Sequence, residues 1–190
     1  NKNYSIGLSG GNTPKLAYSM MLSDIKDFTN ITFWTIDDRW LPLTDDNSNQ
    51  KMINSTFEQT EARILSIKYS GDDPLKDAEF YSKSLKENIN NFDSGVIGLG
   101  DDGHIASLFP NTTGLNENEK LFIANEVNII SKWRISSTFK LLSSISNLYL
   151  LVTGENKKEI LNKAINGSGL PINKLLEIRD NTVIITDQNI

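Results

Sequence analysis

Tyr4 to Met21 reads YSIGLSGGNTPKLAYSMM, and this stretch sets the architecture of the chain. Tyr4–Leu8 is a short apolar run, Ser9-Gly10-Gly11-Asn12-Thr13-Pro14 follows, and Leu16, Ala17, Met20 and Met21 then recur at helical spacing. The order is strand, glycine turn, helix. Thr13 suits the capping position and Pro14 the first helical position, where a missing N–H loses no hydrogen bond. Free amides at such a turn, with a helix dipole behind them, favour a phosphate. The same turn also serves as a plain βα connection, and it is neither a Walker A loop nor a G-x-G-x-x-G fingerprint.

The pattern repeats along the chain. Ile31–Ile36 reads as a buried strand rich in β-branched and aromatic residues, ending in the charged run Asp37-Asp38-Arg39. Asp45–Asn49 is polar and caps a short segment, Gln50–Phe57. Arg63–Tyr69 is a weak strand, and an amphipathic helix follows Asp73-Pro74, with Leu75, Ala78, Tyr81, Leu85 and Ile89 on one side. Strands are expected at Gly95–Leu99, Leu121–Ala124, Trp133–Ser136, Leu148–Val152 and Thr182–Thr186. Helices are expected after Thr138, through Ile160 to Gly167, and from Leu170-Pro171. No linker or repeat interrupts this alternation. The reading is α/β: a single Rossmann-like domain over residues 1–190, with a mostly parallel sheet flanked by helices. Ligands of such sheets sit at the carboxyl ends of the strands.

One strand end carries unusual chemistry. Gly98–Pro110 reads GLGDDGHIASLFP and contains His104, the sole histidine of the chain. The spacing places His104 two residues after Asp102, in a glycine turn at the head of an expected helix. A carboxylate holding one imidazole nitrogen leaves the other free as a general base. The dipole of the expected helix favours the neutral, proton-accepting ring. A metal site built from Asp101, Asp102 and His104 is the rival use, but no second histidine or thiolate completes a common zinc set. Serine hydrolysis through Ser107 lacks a G-x-S-x-G elbow. Arg134 and Lys157 each lie near an expected strand end, where they suit a phosphate partner.

Composition narrows the options. The 190 residues are 38% apolar and 23% charged, with a net charge of −5, as in an ordinary globular protein. No basic cluster matches a nucleic-acid backbone, and no apolar run matches a membrane span or a leader. The absence of cysteine excludes disulfides and thiolate chemistry and fits a reducing cytosol, so a cytoplasmic location is expected.

Taken together, the motifs resemble the 6-phosphogluconolactonase family, within the larger group that includes glucosamine-6-phosphate deaminases. The resemblance rests on Ser9–Pro14, Asp37–Arg39, Asp46–Asn49, Gly98–Pro110, Arg134–Ser136 and Gly154–Lys157, in family order across nearly the whole chain. It implies hydrolysis of 6-phospho-D-glucono-1,5-lactone in the oxidative pentose phosphate pathway, with no metal and no organic cofactor. By the same resemblance, His104 activates water and Asp102 orients His104. Gly10, Gly11, Asn12, Thr13, Arg134 and Lys157 hold the 6-phosphate, while Asp37, Arg39 and Asn49 line the sugar site. The partner is a phosphorylated sugar lactone, and the expected form is a monomer. Where the family's D-[ED]-R element allows Glu, this chain has the shorter Asp38. Family members carry a helical segment before the first strand, so an N-terminal piece is expected to be missing here, leaving part of one sheet face exposed.

Overall fold

The computed structural model describes residues 3–189, the side chain of Asn128 excepted. Six strands form a parallel sheet: β1 (Tyr4–Leu8), β2 (Ile31–Thr35), β4 (Arg63–Leu65), β5 (Ser94–Gly98), β8 (Asn147–Val152) and β9 (Thr182–Thr186). Their spatial order is β4-β2-β1-β5-β8-β9. Numbered within the sheet this is 3-2-1-4-5-6, the doubly wound order, whose direction of growth reverses between β1 and β5. A crevice opens at that reversal. The turn after β1 and the loop after β5, both singled out from sequence, therefore meet at one place.

The helices cover both faces. Consecutive residues of β2 point opposite ways: Phe33 packs with Leu8, Tyr18, Phe28, Ile53 and Phe57, and Trp34 packs with Tyr81, Leu85, Ile97 and Phe122. The first cluster lies under α1 (Asn12–Asp24) and α2 (Asn49–Phe57). The second lies against α3 (Pro74–Asn88), α4 (Phe139–Ser144), α5 (Lys158–Asn166) and α6 (Pro171–Glu177).

A second sheet was not legible in the sequence. Asp37–Arg39, read as charged residues trailing a strand, form β3, which pairs antiparallel with β7 (Ser131–Ser137), and β7 pairs with β6 (Phe122–Ile129). Ile36 joins the two sheets, since its N–H bonds Leu8 in the first and its carbonyl accepts from Ser137 in the second. β6 and β7 are longer than their apolar cores, because cross-strand pairing recruits polar residues on both sides.

Local expectations were corrected at three points. The apolar residues Leu16 and Met20 do not face the core: they are 68% and 61% exposed, and Pro14 and Tyr18 are buried instead. Thr13 does not cap α1. The helix begins two residues earlier, at Asn12 with Gly11 at its cap, and the Thr13 hydroxyl pairs with that of Thr153 at 2.7 Å. On α3, Leu75 turns to solvent whereas Ala78, Tyr81 and Leu85 are buried as expected. Val183 and Ile185 of β9 are about half exposed. The expectation of a missing segment concerns chain before Asn3 and lies outside the described residues.

Candidate active site

All eleven residues expected in the site line one cleft of about 610 Å³: Gly10, Gly11, Asn12, Thr13, Asp37, Arg39, Asn49, Asp102, His104, Arg134 and Lys157. Its floor is the reversal point of the main sheet, and β3 and β7 of the second sheet form one wall. The clustering follows from topology, because every contributing loop leaves the carboxyl end of a parallel strand or belongs to the small sheet joined there.

His104 Nδ1 lies 2.6 Å from Asp102 Oδ1, and the same oxygen accepts the His104 backbone N–H at 3.1 Å. A carboxylate only accepts, so Nδ1 carries a proton, and in the neutral ring Nε2 then presents a lone pair. Among the described residues Nε2 has no protein partner, and the ring lines the cleft. Partial burial raises the Asp102 pKa, but the backbone and imidazole donors of His104 outweigh it and hold the carboxyl below the ordinary range. Asp102 is thus an ionised group fixed against the imidazole. No α-helix opens in this loop: residues 101–112 are irregular turns, with left-handed φ at Gly103, Ala106 and Asn111, and only a short 3-10 turn, Thr113–Asn116, comes after them. The dipole argument for the neutral ring therefore falls, and the tautomer rests on Asp102 alone.

Asp101 is separate from this pair. Its carboxylate holds Lys157 Nζ at 2.6 Å, and the Leu99 carbonyl accepts a second ammonium proton at 2.7 Å. An ammonium has three protons, so one remains for a ligand on the cleft side. Among the described residues no group of three or more His, Asp or Glu is arranged around a common cation position.

Arg134 is 3% exposed; its Nη2 bonds the Ile129 carbonyl at 2.7 Å and its Nε has no partner among the described residues. Burial lowers its pKa, and so does Arg39, directly across the β3–β7 ladder. Two guanidinium groups on facing strands with unmet donors create a demand for an anion. Arg39 itself donates to the Asn47 carbonyl and to Asn49 Oδ1, both at 3.0 Å. Asn49 returns a bond to the Asp37 carbonyl at 2.8 Å. Gly10 admits this arrangement because a Cβ there would meet Asn49 Oδ1 at 1.9 Å.

Asp38 organises this corner. It is buried, and its two oxygens accept from the backbone N–H groups of Arg39, Asn49 and Gln50 and from Ser48 Oγ, at 2.6–2.9 Å. The shorter acid thus seats the start of α2 and brings Asn49 to the cleft. Burial pushes the Asp38 pKa up to about 6, against the pull of those donors. Between the unfolded value of 3.8 and about 6, the folded chain keeps a proton that the unfolded chain has lost, so Asp38's contribution to stability falls as pH rises. Urea unfolding at pH 4 and pH 7 is the check. The stability advantage of wild type over Asp38→Asn is expected to shrink by about 2 to 3 kcal/mol between them, and a pH-independent difference would contradict the burial argument.

Several cleft residues escaped the sequence reading. Ser9 is buried at the cleft, its hydroxyl has no partner among the described residues, and its carbonyl accepts from Tyr18. Ser107, considered only as a nucleophile, donates to Asp37 Oδ2 at 2.6 Å. Ile129 and Ile130 are exposed at the rim, where a register shift disturbs the β6–β7 ladder and Ile130 adopts φ 65°. Phe109 stacks on His104. Phe109 lay inside the loop quoted from sequence, but nothing in a run of turn residues reveals ring orientation.

With this geometry in place, comparison with known proteins gives a consistent result. The family described as glucosamine-6-phosphate isomerases/6-phosphogluconolactonase matches residues 1–184. A 6-phosphogluconolactonase of Haemophilus influenzae is 34% identical over 82% of this chain and 71% of its own length. That of Borreliella burgdorferi is 31% identical over 96% of this chain and 83% of its own. The crystal structure of a 6-phosphogluconolactonase from Shewanella baltica superposes with a TM-score of 0.87 at 25% identity, over 97% of this chain and 83% of that one. The chain belongs to the glucosamine-6-phosphate isomerase/6-phosphogluconolactonase family.

Proposed function

We propose that this protein hydrolyses 6-phospho-D-glucono-1,5-lactone to 6-phospho-D-gluconate, the lactonase step of the oxidative pentose phosphate pathway. The observation that carries the reading is the Asp102–His104 pair at 2.6 Å, in one cleft with Lys157, Arg134 and the glycine turn. His104 Nε2 takes a proton from water as its oxygen attacks the lactone carbonyl. The tetrahedral intermediate then collapses with cleavage of the ring C–O bond, and the imidazolium returns its proton to the departing ring oxygen. Asp102 holds the tautomer and balances the transient charge.

In the same cleft, the Gly10–Thr13 turn, Arg134 and Lys157 hold the 6-phosphate. Asp37, Arg39 and Asn49 face the sugar hydroxyls. Phosphate binding away from the reacting carbon supplies orientation, which suits an ester already activated by its ring. The reading requires no metal and no organic cofactor, gives nucleic acid no part, and places the protein as a monomer in the cytoplasm. Among the described residues no helix is long and apolar enough to cross a membrane.

The alternative within the family is amino-sugar-phosphate deamination, which needs a further acid shortly after the Asp-Gly-His run. Here Ser107-Leu108-Phe109-Pro110 occupies that stretch. The next acid, Glu117, accepts from the N–H groups of Glu119 and Lys120 and lines a different groove beside α3. A non-catalytic sugar-phosphate sensor would have no use for the Asp102–His104 pair. Parallel assays separate these readings: the lactone followed by coupled formation of 6-phosphogluconate, and glucosamine 6-phosphate followed by ammonia release. Acceleration of the first alone is expected; ammonia release without lactone opening would replace the reading.

A further inference from the structure

We propose that Phe109 and Gly100 are positioning residues whose contacts with the His104 imidazole clamp the ring and fix the plane in which Nε2 meets water. This rests on the lactonase reading and assigns to it two residues outside the base–carboxylate pair.

The single bond from Nδ1 to Asp102 holds one corner of the imidazole but leaves the ring free to tilt about that contact. Two further contacts remove the freedom. On one face lies the Phe109 ring, 3.9 Å between centroids and 26° from parallel. Gly100 also abuts the ring: a Cβ built on it would stand 2.1 Å from Nδ1 and 2.2 Å from Cε1. Only a residue without a side chain lets the main chain approach so closely. The loop is closed by Gly100 N–H donating to the His104 carbonyl at 2.9 Å and Gly103 N–H to the Gly100 carbonyl at 3.0 Å.

Phe109 in turn is held by the small antiparallel sheet. The turn that carries it is anchored by Ile105 and Leu108, both fully buried and joined by an isolated bridge. Ser107 is fastened on three sides: its N–H to Ser136 Oγ of β7, its hydroxyl to Asp37 of β3, and its carbonyl to Asn125 of β6. Beyond Phe109, its carbonyl accepts both the N–H and the hydroxyl of Thr112. Each strand of the second sheet thus contributes a bond to the turn that presents the aromatic ring. The ring is only half-buried, so its position follows from these anchors and not from core packing.

The sole histidine gives the test a direct signal. In the unmodified protein, the Hε1 and Hδ2 resonances of His104 are expected upfield of a free imidazole, from the ring current of Phe109. Phe109→Leu keeps an apolar side chain and removes the ring. It is expected to return those resonances toward free imidazole and to lower kcat for the lactone about tenfold with KM unchanged, because orientation of the base is lost while phosphate binding persists. Phe109→Tyr keeps the ring and is expected to restore both readouts. Gly100→Ala attacks the clamp at the Gly100 contact and is expected to lower kcat without requiring any change at position 109. Wild-type kcat in Phe109→Leu, or wild-type imidazole resonances in that variant, would overturn the clamp and leave the lactonase reading standing. An unmodified protein that opens no lactone would remove that reading, and the clamp's role with it.

Discussion

Replacing His104 with alanine is expected to lower kcat for lactone opening by about 10²–10⁴-fold, the usual contribution of a positioned general base. Nothing else in the cleft stands in for it. Of the other carboxylates lining the cleft among the described residues, Asp102 is kept ionised by the His104 donors, Asp101 holds Lys157, and Asp37 already accepts from Ser107. The change removes no phosphate contact, so KM for the lactone and inhibition by inorganic phosphate should stay within a few-fold. Single-turnover and steady-state rates, with the spontaneous reaction subtracted, check this. A variant that retains the wild-type kcat would mean that the base lies elsewhere.

Lys157→Ala is expected to act in the opposite manner. A charge-assisted hydrogen bond to an anion is worth about 1.5–3 kcal/mol, so KM should rise by about 10–100-fold while kcat changes little. The pairing of Lys157 with Asp101 and the Leu99 carbonyl bears on the direction of the effect. Those contacts hold the ammonium in place before any ligand arrives and leave its third proton free, so the group is preorganised and its loss is not offset by flexibility. Salt dependence of KM should weaken in the variant, since one cation–anion contact is gone. An unchanged KM would take Lys157 out of the phosphate site.

The two expectations divide the cleft into a reacting end and an anchoring end, and the sequence carried that division only in part. The strand–turn–helix reading of Tyr4–Met21 and the alternation after it led to the parallel sheet, because buried parallel strands announce themselves as apolar runs of fixed length. Convergence of the strand-end motifs then followed from the doubly wound topology. The small antiparallel sheet stayed hidden because β3 is Asp37-Asp38-Arg39, three charged residues whose strand character comes wholly from pairing with β7. Propensity has nothing to say about such a segment.

The site was legible at the level of which residues matter and illegible at the level of how they are held. His104 and Asp102 stand two apart in a glycine turn, and that spacing alone suggested their contact. The helix expected after them is absent, since residues 105–112 are pinned to the second sheet by Ser107 and Asn125 and cannot wind. Asp38 looked like a minor departure from a motif. In the fold its four accepted hydrogen bonds place Asn49, which positions Arg39 and presses against Gly10. These dependencies run between residues far apart in sequence, and only three-dimensional pairing exposes them.

The central claim is that one cleft joins a lactone-opening base to a phosphate anchor. Its most direct test is acid release, followed by pH-stat, from 6-phosphoglucono-1,5-lactone and from unphosphorylated glucono-1,5-lactone under identical conditions. The account predicts rapid opening of the phosphorylated lactone, well above its spontaneous rate, and at most slight acceleration of the unphosphorylated one. Equal acceleration of both, or none of either, would contradict it.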